Sequence, residues 1–570
     1  IAPHTKKPVQ LPAHPGEDVI RNTDPIIATH NGTPSTPNNG VSPAVLHGKP
    51  SLDRAVAEMD HLFTDSWKRL EVQPTAQAEA NEWVRRIHLD LIGRIPTVPE
   101  VEAFLADNSS NKRQKLVDSL LDSGDYARHF AGVWSNLLIG RRPPERVNRP
   151  AFEKFLRMRF AANRPWNAMV AEIVAADGRT DQNGAANFLV AHLNNQAVPA
   201  TAITARVFLG IQVQCAQCHN HPFNDMKQVA FWELNSLFKQ TDTAERFLRN
   251  PQTGRNEYAF TELTSKSEGG PIFYETQHGL MKVAYPRFSG HDIDAGPDTN
   301  RRSELARIMT EGGEQRQLAT AFVNRLWAHF LGAGFTNPVD DMPFSATDSH
   351  NPPSHPEVLN LLANEFIASG YDVKHLIRLI CASTPYQLST HSVAGAASDD
   401  PAHGELPTFA RAYLKPMTAE QLYDSLVTAT RAHESRVSDW EAAEEQRKAW
   451  MDQFIVSLDN DENEEENTLT GTYAQALMLM NGDLMDRALD LSPGTFLGEL
   501  LRDKRSENDK IRRLCVAALS RQPTAKELAA MQKVVRESGK ARPGSPRVPG
   551  AGYQDLFWAL LNANEFALVH

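Results

Sequence analysis

From about residue 51 onward, apolar side chains recur every three or four positions, the period of helices that bury one face. Val84, Ile87, Leu89 and Leu91 mark one such helix. Thr97-Val-Pro-Glu100 predicts the start of the next. Threonine with glutamate three residues on makes a capping box, and proline suits a first turn. Val101, Phe104 and Leu105 are its expected buried stripe; Leu116, Val117, Leu120 and Leu121 mark a third helix, and Phe130, Val133, Trp134, Leu137 and Leu138 a fourth. Residues 199–214 (Ile203, Val207, Phe208, Ile211) predict an apolar helix running straight into position 215, with Pro222 ending or kinking it. Phe231, Leu234 and Phe238 share one side of a short helix beyond.

The helical period fades over residues 241–300, where Gly, Pro, Thr and Asn increase. Pro-Ile-Phe-Tyr at 271–274 and Met-Lys-Val-Ala-Tyr at 281–285 predict short strands. Helical spacing resumes at 301 and is strongest over 303–310, 317–331, 356–369 and 373–383. Ser354-His-Pro-Glu357, Thr418-Ala-Glu-Gln421 and Thr524-Ala-Lys-Glu527 repeat the capping-box pattern. The chain closes on an amphipathic helix holding Leu556, Leu560 and Phe566. Residues 1–50 are rich in Pro, Thr, Asn, His and Gly and have little apolar period, which predicts a disordered leader. The expected fold is therefore mainly α. A flexible leader (1–50) precedes a helical lobe (51–240), a β-containing insert (241–300) and a second helical lobe (301–570). Arg94-Ile-Pro-Thr-Val-Pro-Glu100 and Arg521-Gln-Pro-Thr-Ala-Lys-Glu527 match at Arg, Pro, Thr and Glu. A repeated unit and independent helix capping both explain the echo, and capping is the simpler account.

Composition narrows the class. A hydrophobic fraction of 41% and 23% charged residues describe a globular chain, and no apolar run reaches the length of a membrane span. A net charge of −11 argues against nucleic acid, whose phosphates call for a basic surface.

Candidate chemistry is concentrated at residues 215–219, Cys-Ala-Gln-Cys-His. With 4 Cys and 20 His in 570 residues, C-x-x-C-H arises by chance roughly 0.001 times. The pattern is the attachment signature of c-type haem. Cys215 and Cys218 would be thioether anchors, and His219 the proximal ligand of the iron. The competing reading takes Cys215, Cys218, His219 and His221 as four ligands of a Zn or Fe ion; a plain disulfide is the third. Candidate sixth ligands are Met226, His192, Met281, His129 and His329, none at a diagnostic spacing, and Arg206 is a candidate for a propionate. Asp340, Asp341, Asp348, His350 and His355 form a second polar concentration that could take a cation or a sugar. The acidic run 459–467 lacks the spacing of a Ca²⁺ loop and reads as solvated. Cys381 and Cys515 lie in apolar helical contexts and read as buried thiols, with a mutual disulfide as the alternative. Nucleotide-binding, hydrolase and zinc-protease motifs do not occur.

Several long motifs resemble a known family. Ile-His-Leu-Asp-Leu-Ile-Gly-Arg-Ile-Pro-Thr at 87–97 and Phe-Leu-Gly-Ile-Gln-Val-Gln-Cys-Ala-Gln-Cys-His-Asn-His-Pro-Phe at 208–223 resemble the cytochrome-like PSCyt domain. Val-Asn-Arg-Leu-Trp-Ala-His-Phe-Leu-Gly at 323–332, Asn-Pro-Pro-Ser-His-Pro-Glu at 351–357 and the stretches at 474–481 and 560–566 resemble the PSD domain that follows it. These paired domains of unknown function are common in planctomycetes. The resemblance implies a largely helical, exported protein and assigns no substrate. Many relatives carry Asp where this chain has Asn220, and many carry a Cys-containing segment where it has the run 459–467. Taken together, the leading expectation is an exported, periplasmic or extracellular monohaem c-type protein. It would pass electrons to an unidentified redox protein, in a family setting that links it to oxidation of extracellular carbohydrate. The rivals are a structural or interaction protein stapled by a non-haem metal, and a haem enzyme with an open axial position.

Overall fold

Helix Ala80–Ile92 organises the molecule. In the computed structural model, every residue of it from Glu82 to Ile92 is buried, including Glu82, Arg85, Arg86, His88 and Asp90. The structure describes residues 52–311, 314–343, 350–391, 399, 401, 404–432, 447–451, 482–538 and 549–570. The leader 1–50, Asp348, the acidic run 459–467 and the motif at 474–481 lie outside them.

A buried guanidinium is costly unless its N–H groups find acceptors. Both arginines of this helix find them on distant backbone. Arg85 donates to the carbonyls of Ala518 (3.0 Å) and Phe566 (2.7 Å). Arg86 donates to those of Tyr386 and Leu388 (both 2.8 Å) and pairs with Glu82 at 2.9 Å. The helix thereby joins two apolar cores. Trp83, Val84, Ile87, Leu91 and Ile92 enter the larger, which takes side chains from Ala55 through Tyr413 and so draws on both sides of the insert. Leu89 enters the other with Ile95, Val98, Val101 and residues from Met417 to Val569.

The expected mainly α architecture is what is found. Val98–Ala106 starts at the Thr97 capping box. Lys112–Leu121, Gly124–Ile139, Gln228–Asn235, Arg301–Glu311, Gln315–Leu331, Pro356–Ala368 and Val373–Ala382 fall where the apolar period placed them. The insert contains three antiparallel hairpins, the last a short one pairing Arg287–Phe288 with His291–Asp292. Ile272–Glu275 pairs with Met281–Ala284, as the short apolar runs predict. Thr241–Arg249 pairs with Asn256–Ser265, and Gly178–Arg179 adds a third strand. That longer hairpin was not legible, because Thr241–Arg249 passes from half-buried to exposed and shows no apolar alternation. No described helix is long and apolar enough to cross a membrane.

Some local expectations fail: Leu105, expected in a buried stripe, is 42% exposed, and the closing helix ends at Leu561, so Phe566 lies in a separate short helix, Asn564–Ala567. The helix expected over 199–214 ends early: Val198–Thr204 passes into a wide turn, Ala205–Leu209, and stops at Gly210. Gly210 has φ +69°, and a Cβ there would lie 2.7 Å from Met342 Sδ, so both conformation and close approach call for glycine. Ser354 does not cap Pro356–Ala368. The N-cap is His355, and the Ser354 hydroxyl lies 3.1 Å from His355 Nδ1 instead. His355 is drawn inward by Phe63, Phe335 and Phe409, whose rings surround it.

The echo noted in the sequence becomes a repeated unit. Helix Glu507–Leu519 aligns with Ala80–Ile92 so that Arg512, Arg513, Cys515 and Ala517 stand where Arg85, Arg86, His88 and Asp90 stand. Both helices end on a left-handed residue, Gly93 and Ser520, whose N–H returns to Leu89 and Val516. Arg94 then grips Glu100 through two bonds of 2.9 and 3.0 Å, and Arg521 grips Glu527 at 3.0 and 2.8 Å. The amides of Thr97 and Thr524 bind those same glutamates. A later carboxylate completes each cluster, Asp125 in one and Glu565 in the other, each followed by a buried aromatic residue, Tyr126 or Phe566. Shared capping alone does not produce this order of parts.

Candidate functional site

After Gly210 the chain keeps Ile211 and Val213 in the core and makes one short turn, Gln214–Gln217. Ala216 anchors that turn in the core, while Cys215 and Cys218 are both exposed and both free thiols. The two thiols, three residues apart in this tight turn, are open to reaction and not joined to each other.

Side chains from the following helix clamp the turn. Gln228 Nε2 donates to the carbonyls of Gln217 and Cys218, both at 3.1 Å, and to that of Glu275 at 3.0 Å. Trp232 Nε1 donates to the Gln217 carbonyl at 3.0 Å and stacks on Tyr274 of the second hairpin. Asn220 Oδ1 accepts the Gln228 amide at 3.0 Å. A carboxylate oxygen accepts in the same way, so an Asp at position 220 would keep this bond. Neither Gln228 nor Trp232 was singled out from sequence. An amide ten residues beyond Cys218 has no diagnostic spacing, and only the folded turn shows which carbonyls it reaches.

The two motif histidines are held differently. His219 Nδ1 lies 2.6 Å from the Asn220 carbonyl, which can only accept, so Nδ1 carries the proton. In the neutral ring the Nε2 lone pair is then available to a ligand. His221 shows the opposite arrangement. Its Nδ1 accepts from the amides of Phe223 (3.3 Å) and Asn224 (3.2 Å), which places the proton of a neutral ring on Nε2. His221 N–H also donates to the Met226 carbonyl at 2.8 Å, so this residue organises the 221–226 loop. Among the described residues, no three Cys, His, Asp or Glu side chains gather in a way that would hold a metal ion.

The second polar concentration meets this one in part. Met342 N–H donates to the Gly210 carbonyl at 2.9 Å, and Gln212 Nε2 donates to Asp340 Oδ1 at 3.1 Å. Arg206 Nε stands 3.9 Å from Asp340 Oδ2, a protein partner for the residue considered for a propionate. His350 lies 2.9 Å from Asp341 Oδ2 and stacks on Phe223, which is 73% exposed and follows the motif in the chain. His355 does not join them. It is buried, hydrogen-bonded to Ser66 at 3.1 Å, and its pKa is pushed down to about 4, chiefly by burial.

The candidate sixth ligands scatter. Met226 is buried in the loop next to the motif. Met281 is exposed on the second hairpin, opposite Glu275, whose carbonyl Gln228 holds. His192 is bound to the Leu138 carbonyl at 2.7 Å, and His329 to that of Asp90 at 2.8 Å. His129 packs 5.9 Å from His329, and burial holds all three imidazoles below their ordinary pKa. Cys381 and Cys515 are buried free thiols in different cores.

Two family models match the chain, in order. PSCyt2, a protein of unknown function (DUF1549), covers residues 58–243. PSD1, a protein of unknown function (DUF1553), covers residues 301–469. No curated protein and no solved structure matches the chain.

Proposed function

We propose that this chain, a member of the family that pairs a PSCyt2 domain with a PSD1 domain, is an exported c-type cytochrome that relays single electrons. The observation that carries this reading is the state of the turn: two exposed thiols flank a buried anchor, and His219 is set with Nε2 as its ligand atom. Those residues fit a covalently attached haem, which would supply one-electron chemistry when bound. Cys215 and Cys218 would hold the porphyrin edge and His219 the iron. Gln228 and Trp232 fix the turn through its carbonyls, so the spacing of the two thiols is set before anything attaches. The Asn220 carbonyl keeps the His219 proton on Nδ1. Export follows from the same reading, since covalent haem attachment normally takes place outside the cytoplasm.

The rival four-ligand metal site would need His221, and its ring orientation counts against that role. The test is to express the chain in a bacterial periplasm together with haem-attachment machinery. We expect a red protein with a Soret band, one haem per chain, and haem retained on a denaturing gel. Cys215→Ser with Cys218→Ser should abolish retention. His219→Ala should keep the attached haem but change its spectrum, and His221→Ala should leave that spectrum unchanged. A colourless protein carrying stoichiometric zinc would overturn the proposal, as would a His221→Ala spectrum altered as much as that of His219→Ala.

A further inference from the structure

Strand Thr241–Arg249 is the edge of its sheet. Its inner side pairs with Asn256–Ser265, and among the described residues no strand pairs with its outer side. Edge strands are ordinarily blunted by Lys, Pro or a bulge. This strand contains neither Lys nor Pro. The hairpin's bulge lies on the other strand, where the register steps from Arg246 opposite Phe260 to Phe247 opposite Tyr258. The exposed half of the edge also carries two large apolar side chains, Phe247 (54% exposed) and Leu248 (62% exposed).

Three bonds fix which way each residue turns. Lys266 N–H donates to the Gln240 carbonyl, Thr180 N–H to that of Thr261, and Asn250 N–H to that of Arg255. Along an antiparallel pair the bonded positions alternate. Asp242, Ala244, Arg246 and Leu248 therefore bond inward, while Glu245, Phe247 and Arg249 turn N–H and C=O outward and share one face. Arg246 is paired with Glu262 at 2.7 Å. Among the described residues, Glu245 has no side-chain partner, and Arg249 reaches only the Gly254 carbonyl at 3.3 Å.

Two copies joined antiparallel along this edge would be related by a two-fold axis, which brings one residue face to face with itself. An axis at Glu245 opposes two carboxylates, and one at Arg246 or Arg249 opposes two guanidinium groups. An axis at Leu248 leaves Glu245 facing Pro251. An axis at Phe247 sets Glu245 against Arg249 on both sides, with the two Phe247 rings between them. We propose that a second copy of this chain docks on the edge in that register. The overlap is short, so the dimer is reversible and forms at about 0.1 mM protein.

Sedimentation equilibrium of the intact protein tests this. We expect a monomer–dimer equilibrium that weakens with added salt. Glu245→Arg and, separately, Arg249→Glu bring like charges together and should each weaken the dimer about tenfold or more. Mixed in equal amounts, these two variants should associate with each other, since one then offers two arginines and the other two glutamates. The double variant, Glu245→Arg with Arg249→Glu, should dimerise like the parent. A parent protein that stays monomeric at about 0.1 mM would overturn the proposal. So would a dimer left intact by either single reversal, or a mixture of the two reversals that stays monomeric.

Discussion

The stretches 80–127 and 507–567 build the same local structure around different buried residues. Each runs from a helix through a left-handed cap and an Arg–Glu clasp to a later carboxylate and aromatic residue. In the first, His88 and Asp90 are almost fully buried; in the second, Cys515 and Ala517 occupy the matching positions. The scaffold therefore does not require buried polar groups at these sites. What the first copy does with them is long-range. Asp90 accepts from Tyr386 Oη at 2.8 Å and Lys415 Nζ at 2.7 Å, and Lys415 also binds the last carbonyls of helix Gln315–Leu331. One copy serves as a hub between cores, and the other is a plain member of one core.

Removing Asp90 should test that contrast most severely. Asp90→Ala copies the alanine of the second unit but leaves Lys415 charged in a largely buried place, with side-chain exposure of 18%. We expect a loss of about 3–5 kcal/mol in urea unfolding. Asp90→Ala with Lys415→Met should recover part of it. A loss below about 1 kcal/mol would show that the first copy tolerates alanine as readily as the second.

The aligned arginines come next. Arg85→Met removes the donors to Ala518 and Phe566 and should cost about 2–4 kcal/mol. Arg512 pairs with Asp509 on an exposed face, so Arg512→Met should change stability by no more than about 0.5 kcal/mol. Equal effects would erase the distinction between hub and plain member.

Acid titration sharpens the comparison at the His88 and Cys515 pair. Burial is the main cause that brings His88 from 6.5 down to about 4, while burial pushes the Cys515 thiol up to about 12. Because the folded pKa of His88 lies below its unfolded value, the unfolded chain takes the proton first as the pH falls. The stability tied to neutral His88 is whole above about 6.5 and is lost from there towards 4. His88→Cys should therefore flatten the fall of stability with acid by about 1.4 kcal/mol per pH unit within that window. An unchanged slope would mean that His88 titrates normally in the folded protein.

Much of this was readable in advance because its causes are local. The Thr97 box, the apolar stripes and the hairpin at 272–284 each depend on residues a few positions apart. The Cys-Ala-Gln-Cys-His turn was equally visible, since its rarity lies in its spacing. The early end of the helix before it was not, because Gly210 matters through Met342, more than a hundred positions later. Nor was the failed cap at Ser354: the S-x-x-E pattern is present, but three distant phenylalanines decide where His355 goes.

The sequence by itself determined most of the helical segments and which turn carries the thiols; that Arg94 and Arg521 begin matching units, where capping had been the simpler account, came from the structure. Period, capping and chain reversal are settled within one or two turns of backbone. Only the tertiary structure decided which arginine is satisfied by distant carbonyls, where His355 is drawn, and which helix holds the two cores together. Those outcomes depend on carbonyls and rings brought together from far along the chain, and no local pattern encodes the partner.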